Sequence, residues 1–307
     1  MKKNILYILG FVIMLMSSAS IKAQQDSQYT QYMYNTVSFN PAYAGNRGAL
    51  SATAAYRNQW LGVEGAPETL NFSIHTPINL ERLGVGLGFT NDKIGPSSES
   101  TATADISYTI PINRYDLKLS FGVKAGLNIL DINMNKLNIY DPSDVNLVNK
   151  TLTSPVVGVG LYLHTTKWYV GLSTPNMLNS EHYDDIKVST ASEKMHMFFT
   201  AGYVFDLNSS FKFKPAIQTK AVIGAPLSVD VSANFLYNNR LTLGAAYRWD
   251  AAVSFLTGFQ VNENIMIGYS YDYDLSDFSN YNDGSHEIFI RFELGNGLKN
   301  KVNPRFF

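Results

Sequence analysis

The side chains best suited to chemistry in this chain are its five histidines, His75, His164, His182, His196 and His286. No HExxH or HxxEH spacing joins them, so a zinc hydrolase has no ligand set to build on. His75, His164 and His196 fall inside alternating runs, where an imidazole more often lines a lumen or an interface than holds a metal. Serine is plentiful, but no spacing singles out a Ser-His pair, and catalytic triads are recognised by geometry rather than by sequence position. Asp272, Asp274, Ser276, Asp277 and Asp283 resemble oxygen ligands for Ca2+. The stretch lacks the central glycine and terminal glutamate of an EF-hand loop. Cysteine is absent, which removes disulfides, zinc-thiolate sites and thiol catalysis. The expectation is a protein that is not an enzyme and has no metal or cofactor.

The charged residues say more. Lys and Arg number 24 against 25 Asp and Glu, a formal net charge of -1. A nucleic-acid binder would need a basic excess or stripe, so nucleic acid is not an expected partner. Arg57, Asp105, Lys118, Lys124, Lys212, Lys214, Lys220, Asp230, Arg248, Asp272, Glu287, Arg291 and Glu293 all sit on the polar phase of alternating runs. A ring of one sign would make an ion-selective pore. A mixed set can brace a wall through salt bridges, pair across a filled lumen, or bind a polypeptide.

The elements that would position these charges are strands. Charged residues are only 16% of the chain and aromatics reach 13%, yet mean hydropathy is -0.08. Apolar and polar residues must therefore interleave at short range. Leu117, Leu119, Phe121, Val123, Ala125, Leu127 and Ile129 alternate with Lys118, Ser120, Gly122, Lys124, Gly126 and Asn128. The same period of two recurs around 83–89, 195–206, 229–237, 265–274 and 287–293. Several runs match the 9–11 residues that a tilted strand needs to cross a bilayer. Tyr56, Trp60, Tyr108, Tyr115, Trp168, Tyr203, Tyr237, Tyr247 and Trp249 lie near run ends, where amphipathic rings meet lipid headgroups.

The pattern predicts an all-β chain, a transmembrane antiparallel β-barrel of about 14 strands. Loops are expected at 58–67, 92–99, 132–154, 175–193 and 275–284, with short turns on the opposite, periplasmic side. Residues 1–23 read as a signal peptide: Lys2 and Lys3 precede an apolar run that is short for about 30 Å of hydrocarbon. Residues 24–47 do not alternate and are expected to be periplasmic or tucked into the lumen. The barrel is assigned to 48–294 and a tail to 295–307. Glycines at 84, 86, 88, 122, 126, 158 and 160 are expected to face inward. They either admit a plug or partner segment or let the wall curve.

Certain strings, taken in order, resemble a known family. They are Asn40-Pro-Ala-Tyr-Ala-Gly45, Tyr56-Arg-Asn-Gln-Trp60, Gly65-Ala-Pro67, Asn91-Asp-Lys-Ile-Gly95, Leu119-Ser-Phe-Gly122, Gly158-Val-Gly160, Gly268-Tyr-Ser-Tyr-Asp272, Gly284-Ser-His-Glu-Ile288 and Pro304-Arg-Phe-Phe307. Together the chain resembles the PorP/SprF family of the type IX secretion system of Bacteroidetes. Asn303 departs from the cysteine expected there in many relatives. The resemblance implies an outer-membrane component of protein secretion and gliding motility. It implies as partners a secreted adhesin's C-terminal domain, or periplasmic and outer-membrane secretion components, besides outer-membrane lipid. The long loops would then meet outer partners, and the 24–47 segment and tail periplasmic ones. The other expectation to separate is a diffusion channel or a transporter of hydrophobic substrates. Asn40, Pro41, Arg57, Trp60, Asp92, Asp272, His286 and Glu287 lie within these strings and are the candidate structural or partner-binding residues.

Overall fold

The computed structural model describes residues 29–78, 82–112, 116–134, 149–178 and 195–294. The expected signal peptide, the tail, the turns 79–81 and 113–115, and most of the two longest loops lie outside them.

Fifteen strand segments form one antiparallel sheet. They are β1 Leu50–Asn58, β2 Glu68–Ile78, β3 Leu83–Ile94, β4 Ser97–Pro111, β5 Lys118–Ile132, β6 Lys150–His164, β7 Trp168–Thr174 and β8 His196–Tyr203. Then follow β9 Phe205–Asp206, β10 Phe211–Val222, β11 Ser228–Tyr237, β12 Leu241–Arg248, β13 Ala252–Gln260, β14 Ile265–Asp274 and β15 Ser285–Leu294. Segments β8 and β9 both pair with β10 and make a single stave interrupted at Val204. The wall is thus a 14-stranded β-barrel, with the count and all-β class expected from the alternation. Leu50 to Asn58 of β1 pair with Leu294 to His286 of β15, which closes the cylinder. No sheet edge is left, as hydrocarbon surroundings require.

Alternation sets which face meets lipid. In β5 the outward Phe121, Val123 and Leu127 stand 44%, 54% and 56% exposed, whereas the intervening Ser120, Lys124 and Asn128 are buried. Exposed rings mark both rims. Tyr108, Tyr203, Phe205, Phe211 and Tyr237 lie toward the short-turn end, and Tyr56, Tyr247, Trp249 and Tyr273 toward the other. At the first rim Asn238 and Asn239 both take positive φ, the two-residue hairpin geometry whose twist matches the strands.

Two expected loops are corrected. Residues 92–99 are not a loop: β3 continues to Ile94, β4 begins at Ser97, and only Gly95 and Pro96 turn. Strand β6 begins at Lys150, inside the expected 132–154 loop. Alternation fades here because Asn91-Asp-Lys93 and Ser97-Ser-Glu-Ser-Thr101 are polar on both faces. At 15 residues each, β4, β5 and β6 exceed what a bilayer crossing needs. The long-loop ends of β4 and β6 are rich in polar residues, whereas β5 keeps Leu130 and Ile132 buried on its inner face.

Residues 29–47 lie inside the barrel. Tyr32–Tyr34, Thr36–Ser38 and Pro41–Tyr43 are short 3-10 turns, and almost every side chain from Thr30 to Ala44 is buried. This segment, hereafter the strap, decides between the two placements the sequence left open: it fills the lumen. Asn40 caps its last turn by accepting from the Ala42 amide at 3.0 Å, and Pro41 opens that turn without needing an amide partner.

The lumenal glycines divide in two. A Cβ on Gly84, Gly122 or Gly160 would lie 2.1 Å from Ala44 O, Ala42 N or Asn40 Oδ1 of the strap. At Gly126 it would instead meet the wall itself, 2.2 Å from Ala102 O. Gly122→Val is expected to destabilise the barrel by about 1–3 kcal/mol, as overpacking does, because backbone on the strap has nowhere to retreat. Phe121→Leu, on the lipid face, is the control and leaves stability unchanged. Urea unfolding in detergent, followed by heat-modifiable gel mobility, compares the two.

Candidate functional site

The site is the contact between strap and wall. The strap's aromatic and aliphatic side chains, Tyr32, Met33, Tyr34, Val37, Phe39 and Tyr43, form one cluster with wall residues Tyr162, Tyr169, Phe198, Leu256, Met266 and Phe289. Tyr34 stacks on Phe289 at 4.6 Å, and Tyr43 meets Tyr162 edge-on at 5.3 Å. Each buried large side chain contributes about 1.5–3 kcal/mol, so the six from the strap supply on the order of 10 kcal/mol.

Polar contacts grade along the lumen. At the long-loop end Arg57, on β1, donates to Asp272 of β14 at 2.6 Å and to Glu287 of β15 at 3.1 Å. The strap completes this latch. Thr30 donates its hydroxyl to Asp272 at 2.6 Å and its amide to Glu287 at 2.9 Å, and the Gln31 amide reaches Glu287 at 3.2 Å. Arg57 Nη1 also donates to Thr30 Oγ1 at 3.0 Å. Arg57, Asp272 and Glu287 are 2–3% exposed, so each charge depends on the others for solvation. Beside them Arg248 pairs with Asp230 at 2.9 Å.

Midway, Asn35 donates to Asn71 and accepts from Ser73 Oγ at 2.8 Å. Lys124 donates to Ser38 O at 2.9 Å and lies 3.5 Å from Asp105. Further down, Asn40 donates to Leu161 O at 3.1 Å. At the short-turn end Ser107 donates to Ala44 O at 2.7 Å and Gly45 N to His75 Nδ1 at 3.1 Å. There Arg47 grips both carboxylate oxygens of Glu293 on β15.

Of the eight candidate residues, the structure brings Arg57, Asp272 and Glu287 together in the latch. Asn40 and Pro41 sit on the strap against Gly160 and Gly122. Asp92 lies on β3, accepting from Thr69, and belongs to the upper wall rather than a loop. Two stand apart. His286 points outward and bonds the Tyr269 hydroxyl at 2.7 Å. Trp60 lies in the β1–β2 loop at positive φ, its ring 5.1 Å from Phe278. The sequence reading passed over Thr30, Asn35 and Arg47. Their signal was a polar-aromatic run without alternation, placed directly before β1.

Magnitudes separate the roles of the two kinds of contact. A buried ion cluster adds little net stability against an apolar replacement, but removing one partner costs about 3–5 kcal/mol. The aromatic cluster therefore holds the strap, and the latch fixes where it stops. Arg57→Met is expected to lose about that much, because two carboxylates stay buried unpaired. Adding Asp272→Asn and Glu287→Gln to it should restore a substantial part. Equilibrium unfolding in lipid vesicles tests the series; a triple variant less stable than Arg57→Met would contradict the latch.

Comparison with known proteins agrees with this architecture. No curated protein matches the chain in sequence. Among solved structures, the Ralstonia pickettii toluene transporter TbuX is similar with TM-score 0.50 and 10% identity, over 83% of this chain and 91% of that one. The Acinetobacter baumannii outer membrane protein Omp33 gives TM-score 0.48 and 8% identity, over 80% and 96%. At such identity the first likeness shows the outer-membrane barrel fold alone. Residues 21–292 match the family described as Type IX secretion system membrane protein PorP/SprF. That span includes the described strap, the latch and nearly all of the wall, and the chain belongs to the PorP/SprF family.

Proposed function

We propose that this protein is a closed docking barrel of the type IX secretion and gliding machinery, not its conduit. The observation that carries the reading is the filled lumen. Strap and wall share a packed aromatic cluster, and the cavity beside Tyr34 and Glu287 has a volume of about 10 Å3, room for about one water. A barrel of 14 strands is narrow to begin with, since diameter grows with strand number. With the strap in place it leaves no passage for a polypeptide through the described residues.

Docking then falls to the rims. The β3–β4 hairpin is polar on both faces at Asn91-Asp-Lys93 and Ser97-Ser-Glu-Ser-Thr101, a surface suited to a secreted adhesin's C-terminal domain. Periplasmic secretion components would meet the short-turn rim, where exposed Lys167 pairs with Asp206 at 3.0 Å. The contrasting role is a diffusion channel or hydrophobic-substrate transporter.

Planar bilayers separate the two. The intact protein is expected to show no steady conductance, and a variant lacking residues 29–44 to show stable openings. A large resting conductance of the intact protein would contradict a closed barrel. Affinity capture from solubilised envelopes should recover an adhesin or a secretion component; recovery of neither would overturn the docking role.

A further inference from the structure

Two long connections and two tight turns are laced together at the long-loop rim, above the closure of β1 on β15. The Leu61 amide donates to Gly284 O at 2.9 Å, and the Asp283 amide returns to Leu61 O at 2.9 Å. Trp60 N donates to Ser285 Oγ at 3.2 Å. On one flank Gly95 N donates to Gly65 O, and on the other Leu275 N donates to Ala251 O, both at 2.9 Å. The β1–β2 connection holds Trp60 at positive φ. In the β14–β15 connection Ser276 caps the short turn Asp277–Tyr281. The two stand as one platform. It turns its rings to solvent instead of burying them. Trp60 meets Phe278 edge-on at 5.1 Å, and Phe278 lies 6.4 Å from Tyr281. Leu61, Phe278 and Tyr281 are 41%, 38% and 75% exposed. All lie beyond the ends of β1 and β14, past the girdle rings Tyr56 and Tyr273. Contiguous exposed apolar surface rimmed by polar groups marks an interaction site.

Charge selects among occupants. Glu64, Asp277 and Asp283 stand in the two connections, Asp274 ends β14, and Asp250 sits in the turn that Leu275 joins. Neither connection holds a lysine or an arginine. The described turns of the opposite rim do carry Arg82, Lys167 and Arg240, so the cation deficit is local. A second copy docked face to face would set acid against acid, and anionic lipid headgroups would be repelled likewise. A guanidinium or ammonium gains from both features, because carboxylates attract it and the faces of Trp, Tyr and Phe rings take it by cation–π contact. We propose that the platform is a docking surface for a lysine- or arginine-bearing segment of a partner polypeptide, its cations lying over the Trp60, Phe278 and Tyr281 rings and against the surrounding carboxylates. The lacing pre-organises this surface, so binding pays little to order it. The inference deepens the docking reading and rests on it, naming the chemistry of the partner at one rim.

The intact protein in nanodiscs of neutral lipid is titrated with a fluorescein-labelled peptide of interspersed Arg, Leu and Ser, and with counterparts carrying Gln or Glu at every Arg, read by anisotropy. The Arg peptide alone is expected to bind, more weakly as salt rises. Tyr281→Ala and Phe278→Ala should each weaken it about tenfold, as should Asp277→Asn combined with Asp283→Asn, while Glu263→Gln at the short-turn rim leaves it unchanged. Heat-modifiable mobility checks that each variant is folded. Equal binding of the Gln peptide, or binding indifferent to both ring variants, overturns the proposal. Self-association of the barrel that Tyr281→Ala abolishes gives the face to a second copy and overturns it too. The chain has no cysteine, so Tyr281→Cys reports on lipid: a thiol that a water-soluble maleimide cannot reach in nanodiscs without peptide places the face in the membrane and overturns the proposal. Capture of an adhesin or secretion component equally by the unaltered protein and by the Tyr281→Ala/Phe278→Ala variant overturns the platform and leaves the docking reading intact. Capture of neither by the unaltered protein overturns the docking reading, and the proposal with it.

Discussion

A cylinder in lipid has one place where chemistry must join what sequence keeps apart, the seam between its first and last strands. Here that seam is β1 against β15, and every backbone pair from Leu50–Leu294 to Asn58–His286 must form for the wall to close. The strap binds across it at both rims. Arg47 holds Glu293 at one end, and Thr30 and Gln31 hold Glu287 beside Arg57 at the other. Strap and seam are therefore one cooperative unit. The loop-closure entropy of bringing residue 50 to residue 294 is offset partly by contacts that the adjoining residues 30–47 make inside.

This coupling explains the composition of the lumen. An open pore would line its wall with water-facing side chains throughout. This wall instead mixes small and polar residues with Phe198, Leu256, Met266 and Phe289, which would be poorly placed against water. Three glycines are bare where the strap's backbone passes, at 84, 122 and 160. The charges of both signs are sorted into buried pairs, Arg57 with Asp272 and Glu287, Arg248 with Asp230, and Lys124 near Asp105. None of these features is needed by a pore, and all of them are needed by a wall that holds a polypeptide.

Much of this was legible in the residues and some was not. Period-two alternation located the staves, because one face meets lipid and the other does not. It failed at 92–99 and 150–154, where the strand ends are rich in polar residues. The inward charges were legible as a set but not as pairs, since register decides that Arg57 sits opposite Glu287 and only the folded seam supplies the register. The strap's lumenal position was an open alternative, because a polar-aromatic run without alternation suits a periplasmic arm as well. Its direction was beyond reach of the sequence. The surface aromatics Trp60 and His286 stood out in family-like strings yet lie away from the latch, so shared motifs here mark loop packing as well as the site.

Membership of the PorP/SprF family and the barrel fold support an outer-membrane transport or docking role, and the filled lumen turns the mechanical question from passage to attachment. The central claim is that residues 29–47 occupy the barrel in the working membrane. Cysteines at Asn35 and Asn71, whose side chains touch in the lumen, measure this directly through a short bifunctional thiol crosslinker applied to outer membranes. The account predicts efficient internal crosslinking of the N35C/N71C variant, seen as a faster-migrating denatured band, with neither thiol open to bulky water-soluble reagents. Absent crosslinking together with free labelling of both thiols would contradict it.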